Sequence, residues 1–245
     1  MKCKNCGTLF EGNFCNHCGQ NAGVHRFHFS YFLRETFFSS LDIENGFFRT
    51  LKVLTLRPGK AIRAYLEGKR VSLYVPGKFL LLIGALATFI AIRYEVYLSE
   101  DVGGMYSTKS FLPQLEQFLM FAEEYTTVIN VITVPVFAIT TYVVFKWLKY
   151  NFTEHLILNI YITAQQLALL VLAAPIILIW PMSKEEVILV YSIITIAYNF
   201  WVYKTFFQLT GVKGVAVGLV ALVLAYVSQF LINYGFYLYV IPLFR

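Results

Sequence analysis

Long apolar runs occupy most of the chain after residue 75. Each is close to the roughly twenty residues that an α-helix needs to cross a bilayer, so each predicts a transmembrane helix. Between the first two runs, apolar residues recur at helical spacing near residues 110–125, which predicts an amphipathic helix on the outer membrane surface. The pattern predicts an all-α polytopic membrane protein whose residues 76–245 form a bundle of about five transmembrane helices. The runs cover residues 76–93, 126–146, 156–180, 187–207 and 215–240.

The composition and the placement of charge agree with this topology. Hydrophobic residues make up 58% and charged residues 14% of the 245-residue chain, whereas soluble domains are about one quarter charged. Up to Lys78 there are twelve Lys and Arg against five Asp and Glu, but residues 93–125 carry two basic and six acidic residues. Cytoplasmic loops are enriched in Lys and Arg. We therefore expect the N-terminus in the cytoplasm and the loop after the first span outside.

Two Cys-x-x-Cys pairs lie within residues 1–22 and contain every cysteine of the chain. Each pair places two thiolates on one side of a metal ion, and two pairs complete the tetrahedron that zinc prefers. Gly7 and Gly19 follow the pairs and suit the positive φ that such turns require. Residues 1–22 are therefore predicted to form a zinc ribbon. Its zinc is structural, because four thiolates leave no open coordination position. The predicted ligands are Cys3, Cys6, Cys15 and Cys18.

Other chemistries for these cysteines are less consistent with the chain. Disulfides form in oxidising compartments, whereas the charge pattern places this end of the chain in the cytoplasm. A thioredoxin-type redox site needs a βαβ context that the sequence lacks, while rubredoxin-like iron would use the same ligands. Between the pairs, residues 8–10 and 13–14 are predicted to form two short strands across a turn at residues 11–13.

Residues 23–75 mix aromatic and basic side chains and are predicted to form interfacial helices. Such segments lie at the membrane surface, with apolar rings toward the lipid and cations toward the headgroups. Pro58 suits the first turn of one short helix and Gly68 its C-terminal end. The cations are candidates for contact with anionic headgroups or a partner; a cover over the cytoplasmic mouth of the bundle, or RNA binding, would use the same cluster. The cluster is Arg57, Lys60, Arg63, Lys69 and Arg70.

Neutral polar residues, but no charged ones, lie in the middle of the predicted spans. The lack of intramembrane ionisable groups argues against a proton-driven transporter. Amides at such positions usually join helices by hydrogen bonds. The alternative hypothesis is that they line a polar path for a substrate among the last three spans. The candidate intramembrane cluster is Gln165, Gln166, Asn199, Gln229 and Asn233.

No catalytic constellation accompanies these features. The sequence contains no HExxH, GxSxG or Walker motif. At the start of the third span, Thr153 is interpreted as a helix N-cap and Glu154 as a partner of the helix dipole. The adjacent His155 does not by itself make an active site. We therefore expect that the protein is not an enzyme.

The chain resembles a bacterial family of uncharacterised membrane proteins, a domain of unknown function numbered 3667. The resemblance rests on the two cysteine motifs, the second of which continues to Gln20, and on the basic stretch from Leu56 to Arg70 followed by Tyr74 and Pro76. It implies a zinc-ribbon head on a multi-span body in the bacterial inner membrane. It carries no established activity.

Two functions fit these observations best. The first is a non-enzymatic membrane scaffold or accessory subunit whose zinc ribbon docks a protein or ribonucleoprotein, so that nucleic acid enters only through such a partner. Its expected partners are membrane lipids and a membrane or cytoplasmic protein complex, and the sequence identifies no small-molecule substrate. The second is a transporter or lipid-handling protein, which requires a cavity that reaches the polar cluster. A membrane enzyme acting on lipid headgroups would need ionisable groups clustered at one membrane face.

Overall fold

A computed structural model describes residues 1–38, 46–94, 117–118, 121, 126–179 and 184–239. Within these ranges the chain is helical after the N-terminal module, and β-pairing is limited to two isolated bridges. The expected all-α class is confirmed. The helices are α1 (Phe29–Phe38), α2 (Phe47–Leu56), α3 (Pro58–Leu66), α4 (Pro76–Tyr94), α5 (Thr126–Ile132), α6 (Val134–Val144), α7 (Phe152–Ile179), α8 (Lys184–Phe206) and α9 (Gly211–Tyr239), with a 3₁₀ turn at Lys146–Leu148.

Helix α7 is the centre of the body and packs against α2, α3, α4, α5, α6 and α8. Tyr161 shows how these contacts are made. Its fully buried ring meets the rings of Tyr65 on α3 and Phe79 on α4. Its hydroxyl donates to the carbonyl of Tyr74 at 2.7 Å, which satisfies a polar group that would otherwise be costly to bury. One side chain thus joins three segments of the chain to α7.

In the part of the chain that the structure describes, three helices are long and apolar enough to cross a membrane, and they correspond to the last three predicted spans. Two of them, α8 and α9, expose apolar side chains over much of their length, as expected for surfaces that contact lipid. The first two predicted spans correspond to shorter apolar helices, Pro76–Ile90 and Ile129–Val144. The three long spans are Phe152–Pro175, Glu186–Phe206 and Gly211–Tyr239.

The second predicted span is interrupted at Thr133, between α5 and α6. Pro135 lies in the first turn of α6, where its missing N–H removes no intrahelical hydrogen bond. The Thr133 hydroxyl donates back to the Ile129 carbonyl at 2.7 Å and accepts a hydrogen bond from Gln229 of α9 at 3.1 Å. The interruption therefore places a hydroxyl where α9 can bind it.

Helices α2 and α3 form a hairpin against α7 and α8. Helix α3 crosses α8 at Gly59, where an added Cβ would lie 2.2 Å from the Thr205 hydroxyl oxygen and 2.4 Å from the Phe206 backbone nitrogen. No side chain fits at that distance, so the crossing requires glycine. Arg63, one turn further along α3, donates to the Thr205 carbonyl at 2.8 Å. A cation at the C-terminal end of a helix is favourable for the helix dipole.

The predicted outer amphipathic helix near residues 110–125 lies largely outside the described residues. Gln117, Phe118 and Phe121 are described and are helical. Phe118 is buried and its ring packs edge-on against Phe230 and Tyr234 of α9. This part of the chain is therefore anchored on α9.

Candidate functional site

Residues 1–22, here called the cysteine module, consist of two copies of one turn. In the first copy Lys2 forms an antiparallel bridge with Leu9, and in the second Phe14 forms the same bridge with Asn21. The predicted hairpin between residues 8–10 and 13–14 is wrong, because each of these bridging residues pairs inside its own copy. Local closure of each turn is favoured because it brings residues only seven positions apart together.

The two glycines after the cysteine pairs have the conformation that was expected of them. Gly7 and Gly19 have φ of 80° and 72°, a region that side chains with a Cβ seldom adopt. Their N–H groups donate to the carbonyls of Cys3 and Cys15, at 3.0 and 2.8 Å. Each pair of cysteines is therefore held in the same tight turn.

The four thiols converge between the two turns. All four Sγ atoms lie within 4.8 Å of one another, and the Sγ–Sγ distance is 3.6 Å for both Cys3–Cys18 and Cys6–Cys15. Zinc–sulfur bonds of about 2.3 Å in a tetrahedron place neighbouring sulfurs about 3.8 Å apart. The thiols therefore fit a tetrahedral metal ion with little movement.

The local environment gives these thiols different pKa values. The hydroxyl and the backbone N–H of Thr8 lower the pKa of the Cys6 thiol to about 5, and the N–H of Cys6 lowers the pKa of Cys3. Burial raises the pKa of the Cys15 thiol to about 11. A metal ligand must be a thiolate, so a bound cation would stabilise the charged form that burial of Cys15 disfavours.

Gln20 attaches the cysteine module to the segment after α3. Its amide nitrogen donates to the Gly68 carbonyl at 2.7 Å, and its amide oxygen accepts the Arg70 N–H at 3.0 Å. The Gln20 side chain is buried. An added Cβ at Gly68 would lie 3.0 Å from the side chain of Lys4, so the module packs directly against this glycine. These contacts fix the position of the module on the body.

A second attachment joins the segment after the module to α7. Arg26 donates from Nε and Nη2 to the two carboxylate oxygens of Glu154, at 2.8 and 2.7 Å. Glu154 also accepts the Asn151 N–H at 2.8 Å, while the Asn151 side chain accepts the Glu154 N–H at 2.9 Å. This reciprocal pair is a capping box. The N-cap of α7 is therefore Asn151, and the interpretation of Thr153 as the cap is wrong.

The five predicted cations have two kinds of surroundings. The guanidinium carbon of Arg70 lies 3.8 Å from the centre of the Phe27 ring, and its Nη2 donates to the His25 carbonyl. Arg63 binds the end of α8, as described above. Two of the five cations thus hold parts of the chain together, whereas three are exposed to solvent: Arg57, Lys60 and Lys69.

A cavity of about 320 Å³ lies among α5–α6, α7, α8 and α9. These helices form a closed ring, in which α6 contacts α7, α7 contacts α8, α8 contacts α9 and α9 contacts α6. None of the described residues that line the cavity is Asp, Glu, Lys, Arg or His. Its wall contains hydroxyl and amide side chains together with aliphatic and aromatic ones. The amides that line it are Asn130, Asn159, Gln166, Asn199 and Gln229.

The cavity brings together part of the predicted intramembrane cluster. Gln166, Asn199 and Gln229 line it, whereas Gln165 lies on another face of α7 and donates to the Thr55 hydroxyl of α2 at 2.8 Å. Asn233 is not among the lining residues. The cluster omitted Asn130 and Asn159, although both stand out as amides in apolar runs. Which face of a helix an amide occupies depends on how neighbouring helices pack.

Hydrogen bonds in the cavity wall use the amide nitrogens. Gln166 donates to the Thr195 carbonyl at 3.1 Å, and Asn199 Nδ2 donates to the Tyr226 hydroxyl at 3.3 Å. Asn199 is 2% exposed, and its Oδ1 has no hydrogen-bond partner among the described residues. An unpaired buried acceptor costs free energy. This oxygen is buried within the packing of the wall and is not reached from the cavity.

A buried polar network lies at the end of the cavity nearest the cysteine module. Asn159 accepts from the Tyr203 hydroxyl and donates to the Thr141 hydroxyl, both at 3.1 Å. The same hydroxyl lies 3.1 Å from Nδ1 of His155. All four side chains are almost completely buried. This network joins α6, α7 and α8 and closes that end of the cavity.

One segment of the chain is similar to a known protein family. The family described as "Protein of unknown function (DUF3667)" matches residues 44–88. This segment contains α2, α3 and most of α4, and therefore both Gly59 and Gly68. The cysteine module and the cavity lie outside it. No curated protein and no solved structure matches the chain.

Proposed function

We propose that this protein binds a small uncharged ligand inside a membrane-spanning helix bundle, as a transporter or lipid-handling protein. The cavity of about 320 Å³ carries the proposal. Ligand sites are concave and combine apolar walls with a few converging polar groups. Five amide side chains line this cavity among apolar ones, which is the mixed lining that such sites have.

The proposal includes five spans and a cytoplasmic N-terminus in the bacterial inner membrane. Helix α4 and the α5–α6 pair would supply two spans in addition to the three long helices. The excess of Lys and Arg before Lys78 supports this orientation. The cysteine module and the buried network at Asn159 then lie toward the cytoplasm, and the opposite end of the cavity lies toward the outer surface.

In this proposal Cys3, Cys6, Cys15 and Cys18 hold a structural zinc ion. The convergence of their thiols supports this assignment. When bound, zinc supplies folding energy to a module that is too short to build a hydrophobic core. Gln20 then holds the folded module against the α3–α4 connection through its two hydrogen bonds to that backbone.

Native mass spectrometry of the protein, extracted gently from its own membrane, tests ligand binding. We expect the wild-type protein to retain a bound small molecule and Gln229→Leu to lose it, because Gln229 lines the cavity. Asn233→Leu is the matched control, since Asn233 lies one turn further along α9 and does not line the cavity. A wild-type protein that retains no ligand, and takes up none from a total membrane extract, refutes the proposal.

A scaffold is the second candidate function, and a separate observation favours it. The cysteine module exposes Leu9 and Phe14, which are 76% and 61% accessible. Apolar side chains on a firmly attached module are suited to binding a protein. We expect Leu9→Ser with Phe14→Ser to release a partner that copurifies with the wild-type protein, while leaving its zinc content unchanged. Retention of every copurifying protein by this variant argues against the scaffold.

A further inference from the structure

Helix α1 carries an apolar face that the described part of the chain leaves largely uncovered. Phe29, Leu33 and Phe37 are 51%, 37% and 65% exposed. They recur every four residues and therefore share about 80° of the helix circumference. We call these three side chains the apolar stripe. A contiguous exposed stripe of this kind is typical of a surface that contacts a partner or a membrane.

Helix α1 packs against α4, and Gly77 in the first turn of α4 makes room for it. An added Cβ at Gly77 would overlap the Thr36 hydroxyl. Leu81, one turn further along α4, is 54% exposed, and other apolar side chains of α4 are exposed as far as Phe89. Exposed apolar side chains on a span contact lipid. Helix α1 therefore lies beside the lipid-facing surface of α4, at the end where that helix begins.

The opposite face of α1 points toward the cysteine module. Tyr31 and Glu35 lie about 160° from Leu33 around the helix. The guanidinium carbon of Arg70 is 5.1 Å from the centre of the Tyr31 ring, and the backbone N–H of Arg70 donates to Gln20 of the module. The apolar stripe therefore faces away from the module. In the proposed topology, which places the module on the cytoplasmic side, that direction is toward the bilayer.

We propose that the apolar stripe inserts among the acyl chains of the cytoplasmic leaflet, so that α1 is a lipid-binding helix. Ser30 and Arg34 follow the stripe around the helix and are exposed, which places a hydroxyl and a cation at the level of the headgroups. This contact is separate from the five cations predicted to contact lipid, none of which lies on α1. The inference rests on the membrane topology of the proposed function and not on its ligand.

Photocrosslinking of the full-length protein in lipid nanodiscs tests the inference. The photoreactive analogue p-benzoylphenylalanine replaces one phenylalanine at a time: Phe37 on α1, Phe89 on α4 or Phe14 in the cysteine module. These positions are matched, because their exposed fractions are 65%, 63% and 61%. Intact-protein mass spectrometry measures the fraction of protein that carries a lipid, and fragmentation of the adduct identifies the acyl chain as the site of attachment. We expect labelling at Phe37 to equal that at Phe89 and to exceed that at Phe14 about tenfold.

The other outcomes overturn the inference, each for a different reason. Lipid labelling at Phe89 without labelling at Phe37 leaves the topology in place and removes the lipid contact of α1. Labelling at neither position contradicts the topology as well. A crosslinked dimer through Phe37 means that a second copy of the chain covers the stripe, and equal labelling of Phe14 means that the module side also contacts lipid. None of these results depends on whether the cavity retains a ligand, so the inference and the proposed ligand binding fail separately.

Discussion

The ion pair between Arg26 and Glu154 attaches the segment after the cysteine module to α7, and its strength can be measured. One guanidinium binds both carboxylate oxygens, at 2.8 and 2.7 Å, and this hydrogen bond raises the pKa of Arg26. The Glu154 side chain is 6% exposed and that of Arg26 is 59% exposed. Exposed pairs contribute about 0–1 kcal/mol, and breaking a buried pair costs about 3–5 kcal/mol. Because Arg26 remains hydrated, we expect a coupling energy of about 1–2 kcal/mol.

A double-mutant cycle isolates this coupling. Arg26→Met keeps the unbranched stem of the side chain and removes the charge. Glu154→Gln removes the charge but keeps an acceptor for the Asn151 N–H, so that the capping box remains. Each single variant should lower the free energy of unfolding, and the double variant should lower it by less than the sum. Unfolding is followed by circular dichroism as the purified protein in mild micelles is titrated with a denaturing detergent.

An exposed arginine without this ion pair provides the control. Arg34 is exposed on α1, so Arg34→Met should change the free energy of unfolding by no more than about 0.5 kcal/mol. High salt should reduce the coupling between Arg26 and Glu154, because one partner is exposed to the solvent. A coupling energy below about 0.3 kcal/mol, which is within the error of additivity, would refute a stabilising role for the ion pair.

Three other predictions concern packing and the cysteine module. Gly59→Ala should lower the free energy of unfolding by about 1–3 kcal/mol, because the added Cβ would meet the backbone of α8. The control is Gly235→Ala, which should not be destabilising because an added Cβ there has no neighbour within 4 Å. Gln20→Ala should make the segment after the module more sensitive to limited proteolysis without changing the metal content, and equal sensitivity to the wild type would contradict the attachment. Cys15→Ser should lower the zinc content measured by elemental mass spectrometry, and unchanged zinc would contradict the metal site.

Local features of this protein could be predicted from the sequence because their causes are local. The spacing within each Cys-x-x-Cys pair determines which thiols share a turn, and the glycine after each pair determines the turn itself. Apolar runs of membrane length become helices wherever they lie, because every backbone group must be satisfied internally. The convergence of four thiols and the positions of the three long apolar helices followed from these two rules.

Side-chain partners, in contrast, were decided by tertiary packing. Gln165 and Gln166 are adjacent in sequence, yet one binds α2 and the other lines the cavity, because successive residues of a helix point about 100° apart. The local pattern Asn151-x-x-Glu154 is a capping-box signature that the sequence contains, whereas the bond from Glu154 to Arg26, 128 residues away in the chain, depends on tertiary packing. The sequence predicts Arg70 as a surface cation, whereas in the structure its guanidinium lies over the Phe27 ring.

The sequence by itself thus determined the composition of the cysteine module, the helical class and the apolar helices. Only the tertiary structure decided which amides face one another, because a cavity among four helices depends on the rotation of each helix about its axis. That rotation is set by close contacts such as Gly59 against α8 and Gln229 with Thr133. These contacts join residues that are distant in the chain, and no local pattern records them.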